Sequence, residues 1–106
     1  MPKLVQFCGS SRNDLKSFPK DAIQEAGYQL QRVQEGLEPD DWKPMKTVGP
    51  GVIEIRIKEA SGAFRVFYVA NREDFIYVLH AFRKTTEKTE KRDIDLAKAR
   101  LKELPP

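Results

Sequence analysis

This chain is poor in the residues that most enzymes rely on. Among its 106 residues there is one cysteine, one histidine and one tryptophan. A single Cys8 excludes an intramolecular disulfide. It ends the run Leu4-Val5-Gln6-Phe7-Cys8, where a thiol reads as a small buried side chain. With one Cys and one His there is no ligand set at zinc spacing, and the reading expects neither a metal nor a cofactor. No glycine-rich phosphate loop and no Ser/His/Asp arrangement is present, which argues against a nucleotide hydrolase or a serine hydrolase. No segment approaches the roughly 20 apolar residues of a membrane span, and the N-terminus lacks a signal-peptide pattern. No membrane partner is expected, and a reducing cytoplasm is the natural location. Internal repeats and low-complexity segments are also missing.

The residues that are present describe one globular domain spanning 1–106. Hydrophobic residues make up 40% and charged residues 33%, a balance that folds and stays in solution. The net charge of +3 is modest, but its distribution is uneven. Residues 1–41 carry five Lys/Arg against seven Asp/Glu, whereas residues 42–106 carry fourteen against nine. The cationic character therefore lies in the second part of the chain.

That part holds the most regular pattern. Val52–Lys58, Phe64–Val69 and Phe75–Phe82 read as three strands, and the last runs into Arg83-Lys84. Ile53, Ile55 and Ile57 alternate with Glu54, Arg56 and Lys58, which places the two sets on opposite faces. Glu59–Gly62 and Asn71–Asp74 are turn-rich, so the strands form an antiparallel meander with one face free to remain wet. Upstream, Leu4–Cys8 reads as a short strand. Asn13 or Asp14 is the expected cap of a first helical turn, and Pro19 suits the start of a longer helix. Ile23, Ala26, Leu30, Val33 and Leu37 recur at steps of three and four, one helical face, and Gly36 is the expected stop. Trp42–Pro50 reads as irregular because of its Pro and Gly content. A last helix is predicted from about Lys91 to Leu104, with Ile94, Ala97, Leu101 and Leu104 on its apolar stripe. The fold class is α+β: a small antiparallel sheet packed on N-terminal helices, with a C-terminal helix.

The candidate functional residues follow from the strands. Arg56 and Arg65 flank a tight hairpin, and guanidinium groups grip phosphate oxygens in pairs at any working pH. Next to a scissile phosphate they would stabilise the added negative charge of the transition state. The plainer alternative is solvation, or pairing with Glu54 and Glu73. Lys84, at the end of the third strand, is a further catalytic candidate. Lys46, Lys58, Arg83 and Tyr68 are candidates for RNA binding, the tyrosine by stacking, although a strand tyrosine more often belongs to the core. His80 is the one imidazole and a candidate proton shuttle. Strict alternation puts it with Ile76, Val78 and Phe82 on the apolar side, as a hydrogen-bonded core histidine. A bulge near it would reverse that assignment.

In their order along the chain, several stretches resemble the RelE/ParE toxin superfamily, and within it the HigB-like, phage-associated branch. They are Gly27-Tyr28 with Leu30 and Gln34-Glu35-Gly36; Lys43-Pro44-Met45-Lys46; Gly51 to Arg56; Phe64 to Tyr68; Val78 to Thr85; and Arg92-Asp93-Ile94 with Ala97 and Arg100. The resemblance implies a RelE-like fold and a type II toxin that cleaves mRNA on the ribosome without a metal. The 2′-hydroxyl would attack the adjacent phosphate, leaving a 2′,3′-cyclic phosphate and a free 5′-hydroxyl. It also implies a cognate antitoxin with a helix-turn-helix domain, and the ribosome and mRNA as partners. Arg65 falls at the family's strand arginine, Arg56 and Lys58 at cationic positions of the preceding strand, and Lys84 in its C-terminal basic cluster. Thr85 and Thr86 stand where some relatives carry a tyrosine or histidine acid or base. Two other readings share the fold: a ParE-like poison of DNA gyrase without RNase activity, and a non-catalytic RNA-binding module.

Overall fold

The structure, a computed structural model, describes residues 2–105. Its elements run β1 (Leu4–Phe7), α1 (Ser11–Lys16), α2 (Lys20–Gln34), β2 (Trp42–Pro44), β3 (Val52–Glu59), β4 (Gly62–Val69), β5 (Phe75–Lys84) and α3 (Lys91–Lys102). The five strands form one sheet in the order β1-β5-β4-β3-β2. The α+β class and the antiparallel meander β3-β4-β5 agree with the sequence reading. The remaining strands extend it at both edges. β1 pairs with β5 in parallel, so the sheet is mixed. β2 pairs with β3 where an irregular loop was expected. Pro44 is compatible with β2 because this is an edge strand, where a missing N–H costs no ladder bond.

The helices follow their sequence signals with small shifts. Asn13 and Asp14 do not cap α1. They lie inside it, and Ser10 precedes the helix with its hydroxyl 2.8 Å from the Asp14 carboxylate. Pro19 directly precedes α2. α2 ends where Gly36 adopts a φ of +86°. The Gly36 N–H donates to the Val33 carbonyl, and the Leu37 N–H to that of Arg32. This paired closure uses the left-handed conformation that glycine adopts without strain.

The sheet carries a core on each face. On one, Ala22, Ala26, Leu30 and Val33 of α2, with Leu15 and Phe18, cover Ile55, Ile57, Phe64, Val66, Tyr68, Ile76 and Val78. Leu37, the last member of the expected stripe, lies beyond the helix end and is exposed. On the other face, α3 lays Ala97 into a second cluster with Val52, Phe67, Val69 and Leu79, flanked by Ile94, Leu101 and Leu104. The second face is therefore only partly wet: α3 covers the end near β1 and the loops, and leaves the end near the β3–β4 hairpin open.

One irregularity decides which side chains reach that open end. In the β4–β5 ladder Phe67 faces His80, but Tyr68 faces Val78. Leu79 is the extra residue of a β-bulge on β5, and past it the alternation changes phase. The Leu79 carbonyl accepts a hydrogen bond from Arg100 Nη1 of α3 at 2.9 Å, so this group is not left orphaned.

Candidate active site on the outer sheet face

Side chains on one face of a sheet alternate along each strand and align across the register. On the α3 side, Lys43, Glu54, Phe67 and His80 make one row across β2, β3, β4 and β5. Arg56, Arg65 and Phe82 make the next, and Lys58, Ala63 and Lys84 a third. Arg56 and Arg65 thus stand directly opposite each other, as the hairpin suggested. Two like charges in that position repel. Glu54 offsets the repulsion. Its Oε1 lies 3.7 Å from Arg65 Nε and 3.9 Å from Arg56 Nε.

Burial makes this cluster unusual. Glu54 is fully buried and Arg65 only 4% exposed, while Arg56 keeps about a third of its side chain in solvent. Burial pushes the Arg65 guanidinium below its ordinary range, Glu54 pulls it back up, and Arg56 opposes. Lys84 is also held below its usual range, first by desolvation and then by Arg65. Its field further includes Glu54, Lys43 and Arg56. Arg56, Arg65, Lys84 and Lys43 therefore surround one carboxylate, leaving an excess of positive charge at a partly dehydrated spot. Such a spot attracts a phosphate more strongly than the same charges dispersed in water.

Beside the cluster runs a groove of about 700 Å³ between the β2–β3 loop and the β5–α3 loop. Lys43 and Lys46 line one bank, Lys84 and Lys88 the other, and Met45 and Ile94 contribute apolar surface. Of the RNA-binding candidates, Lys46 lines this groove, together with Lys43 and Lys88. Neither was singled out from the sequence, although Lys43 belongs to the Lys43–Lys46 stretch noted above. Lys58 is exposed on the same face.

Two other RNA-binding candidates lie elsewhere. Tyr68 is on the α2 side, 4% exposed within the core, so its ring has no free face on which a base can stack. Arg83 also points to that side, with its guanidinium 5.6 Å from the Phe64 ring centroid and bonded to the Ser61 carbonyl. Past the bulge, strict alternation sends Arg83 to the face opposite Lys84.

His80 needs a separate description. The bulge turns it to the arginine face, as the sequence reading allowed, yet α3 then closes over it. Its Nε2 lies 2.7 Å from Asp93 Oδ1. The ring stacks on Phe82 at 4.8 Å and meets Phe67 edge-on. Nδ1 is buried without a partner among the described residues. Both ring nitrogens are thus withheld from the groove. Asp93, Ala97 and Arg100 form one stripe of α3, and each fastens the helix to β5 or the core beside it.

Among the described residues no three His, Cys, Asp or Glu side chains gather to hold a metal ion, and no helix is long and apolar enough to cross a membrane.

Residues 13–102 match the family model described as "Phage derived protein Gp49-like". The chain belongs to this family. The matched span runs from α1 through α3, so it includes every residue of the cationic cluster and its groove. Among solved structures, this Gp49-like protein resembles a chain of the toxin–antitoxin complex RelBE2 from Mycobacterium tuberculosis. The two share 19% identity and a TM-score of 0.54, over 79% of the present chain and 100% of the other. At that identity the likeness establishes a shared RelE-like fold. No protein of curated function matches the chain.

Proposed function

We propose that this Gp49-like protein is the toxin of a type II toxin–antitoxin pair, and that it cleaves mRNA on the ribosome. The observation that carries the reading is the arginine pair. Arg56 and Arg65 face each other across β3 and β4, Arg56 partly in solvent and Arg65 nearly buried, with Lys84 alongside and a lysine-lined groove leading away. Membership of a RelE-like toxin family and the fold shared with a toxin–antitoxin complex both support it.

The groove holds the ribose-phosphate chain and the arginine pair receives the scissile phosphate. The 2′-oxygen attacks phosphorus and loses its proton. The bond from phosphorus to the 5′-oxygen breaks, and that oxygen takes up a proton. The products are a 2′,3′-cyclic phosphate and a 5′-hydroxyl. Arg56 and Arg65 stabilise the charge that builds on the non-bridging oxygens. Lys84, whose ammonium burial and Arg65 make easier to deprotonate, exchanges the protons in this reading. The partner is the product of the adjacent gene, a small helix-turn-helix antitoxin.

Mapping mRNA ends after adding the protein to translating ribosomes, with and without a chelator, tests this reading. Cleavage in both, with 5′-hydroxyl ends, is expected. Intact mRNA together with inhibited DNA gyrase would move the protein to the ParE-like reading.

A further inference from the structure

Glu54 is the buried group that the cleavage chemistry above leaves without a task. It lies in the interior of β3 and is fully buried, and neither carboxylate oxygen has a hydrogen-bond partner among the described residues. A buried acceptor without a partner is costly and is rarely retained without a reason. Its surroundings give one. Both arginines turn the same edge toward it: the nearest atoms are Nε of Arg65 and Nε of Arg56. Neither Nε has a hydrogen-bond partner among the described residues, so the contact with Glu54 is an ion pair at 3.7 and 3.9 Å. Arg65 Nη1 is spent on the Phe64 carbonyl at 3.0 Å. No protein hydrogen bond among the described residues takes Arg65 Nη2 or either Nη of Arg56.

We infer that Glu54 is the positioning residue of the arginine pair. Its carboxylate, in the neighbouring row on the same sheet face, holds the two Nε edges electrostatically, so that the Nη ends of both guanidiniums meet one phosphate together. The inference deepens the proposed function and rests on it for the identity of the ligand, a phosphodiester. The physical logic is that of preorganisation. Two guanidiniums without a shared anion would repel and separate, and a phosphate would then have to gather them at the moment of reaction. With Glu54 in place that reorganisation is already complete. Because Glu54 contacts no substrate atom in this arrangement, it acts through the arginines and not on the RNA.

The test uses Glu54→Gln and Glu54→Asp in the full chain, with two readouts. The first is single-turnover mRNA cleavage on the ribosome. Glu54→Gln should lower the maximal rate by about 10²-fold, the loss typical of a reacting group displaced by about 1 Å, while half-saturation changes little. Glu54→Asp, which keeps the charge, should recover part of that loss. The second readout needs no RNA: the Nε–H signals of Arg56 and Arg65 in nitrogen-15 NMR. In wild type they should exchange slowly compared with the exposed Arg12, and both should shift on titration with inorganic phosphate. In Glu54→Gln they should lose that protection. Wild-type signals exchanging as fast as Arg12 would overturn the inference, even if Glu54→Gln does not fold. Full-rate cleavage by a folded Glu54→Gln would overturn it as well. If wild type cleaves nothing but both Nε–H signals are protected and respond to phosphate, the cleavage reading fails and the positioning role stands.

Discussion

Burial sets the chemistry of single residues here, and Tyr68 shows it most simply. The residue is 4% exposed, and burial, helped by Glu38, pushes its pKa up to about 12. The folded state therefore keeps a proton that the unfolded chain releases near the ordinary tyrosine value. Stability from this source is complete below about pH 10 and is lost as pH rises toward 12, by roughly 2–3 kcal/mol in all. Urea denaturation of wild type and Tyr68→Phe at several pH values checks this. The wild type should lose stability relative to the variant between pH 10 and 12, and parallel curves would show that the hydroxyl is solvated. The strand pattern already marked Tyr68 as a residue whose ring more often serves the core. It could not show how deep Glu54 would lie, because alternation assigns a face and not a depth. Glu54, Arg56 and Lys58 share one face as expected, yet they range from fully buried to exposed. The difference comes from β2 and the loops, which shelter one end of β3 and not the other.

Elements were legible where their period was long. α2 shows its stripe over four turns, and its packed face contains Leu30, 5% exposed. Leu30→Ala should cost roughly 2–5 kcal/mol by cavity formation, and an unchanged melting temperature would show that the helix presents another face to the sheet. β2 escaped notice because three residues ending in proline have no period to detect. The bulge at Leu79, allowed for near His80, could not be decided for a different reason. A run of eight apolar and aromatic residues looks alike in either phase, and the group that bonds the Leu79 carbonyl at the bulge, Arg100, lies 21 positions away. The same helix holds His80 through Asp93. Asp93→Ala would leave both imidazole nitrogens buried without partners, and should cost about 1–3 kcal/mol. His80→Gln should likewise lower the melting temperature and leave substantial cleavage. A loss of rate at unchanged melting temperature would instead make His80 a proton shuttle.

At the scale of the molecule, charge is sorted by position. The acidic excess lies in residues 1–41, and the basic excess in the sheet and α3. The basic side presents the open groove with Lys43, Lys46, Lys84 and Lys88, a surface suited to a polyanion or to an acidic segment of a neutralising partner. Expression of the chain alone should arrest growth, and co-expression with the adjacent gene should relieve the arrest through a tight complex. Unimpaired growth with verified folded protein would count against a toxin.

The central claim is that the arginine pair acts on a phosphodiester, and single-turnover cleavage of ribosome-bound mRNA by Arg65→Ala and Arg56→Ala addresses it most directly. Each variant should lose about 10²–10³ in rate, the loss associated with removing one charge-stabilising donor. Ribosome binding should fall far less, because the groove lysines share that work. Wild-type rates in both folded variants would contradict the claim and place the reaction elsewhere on the molecule.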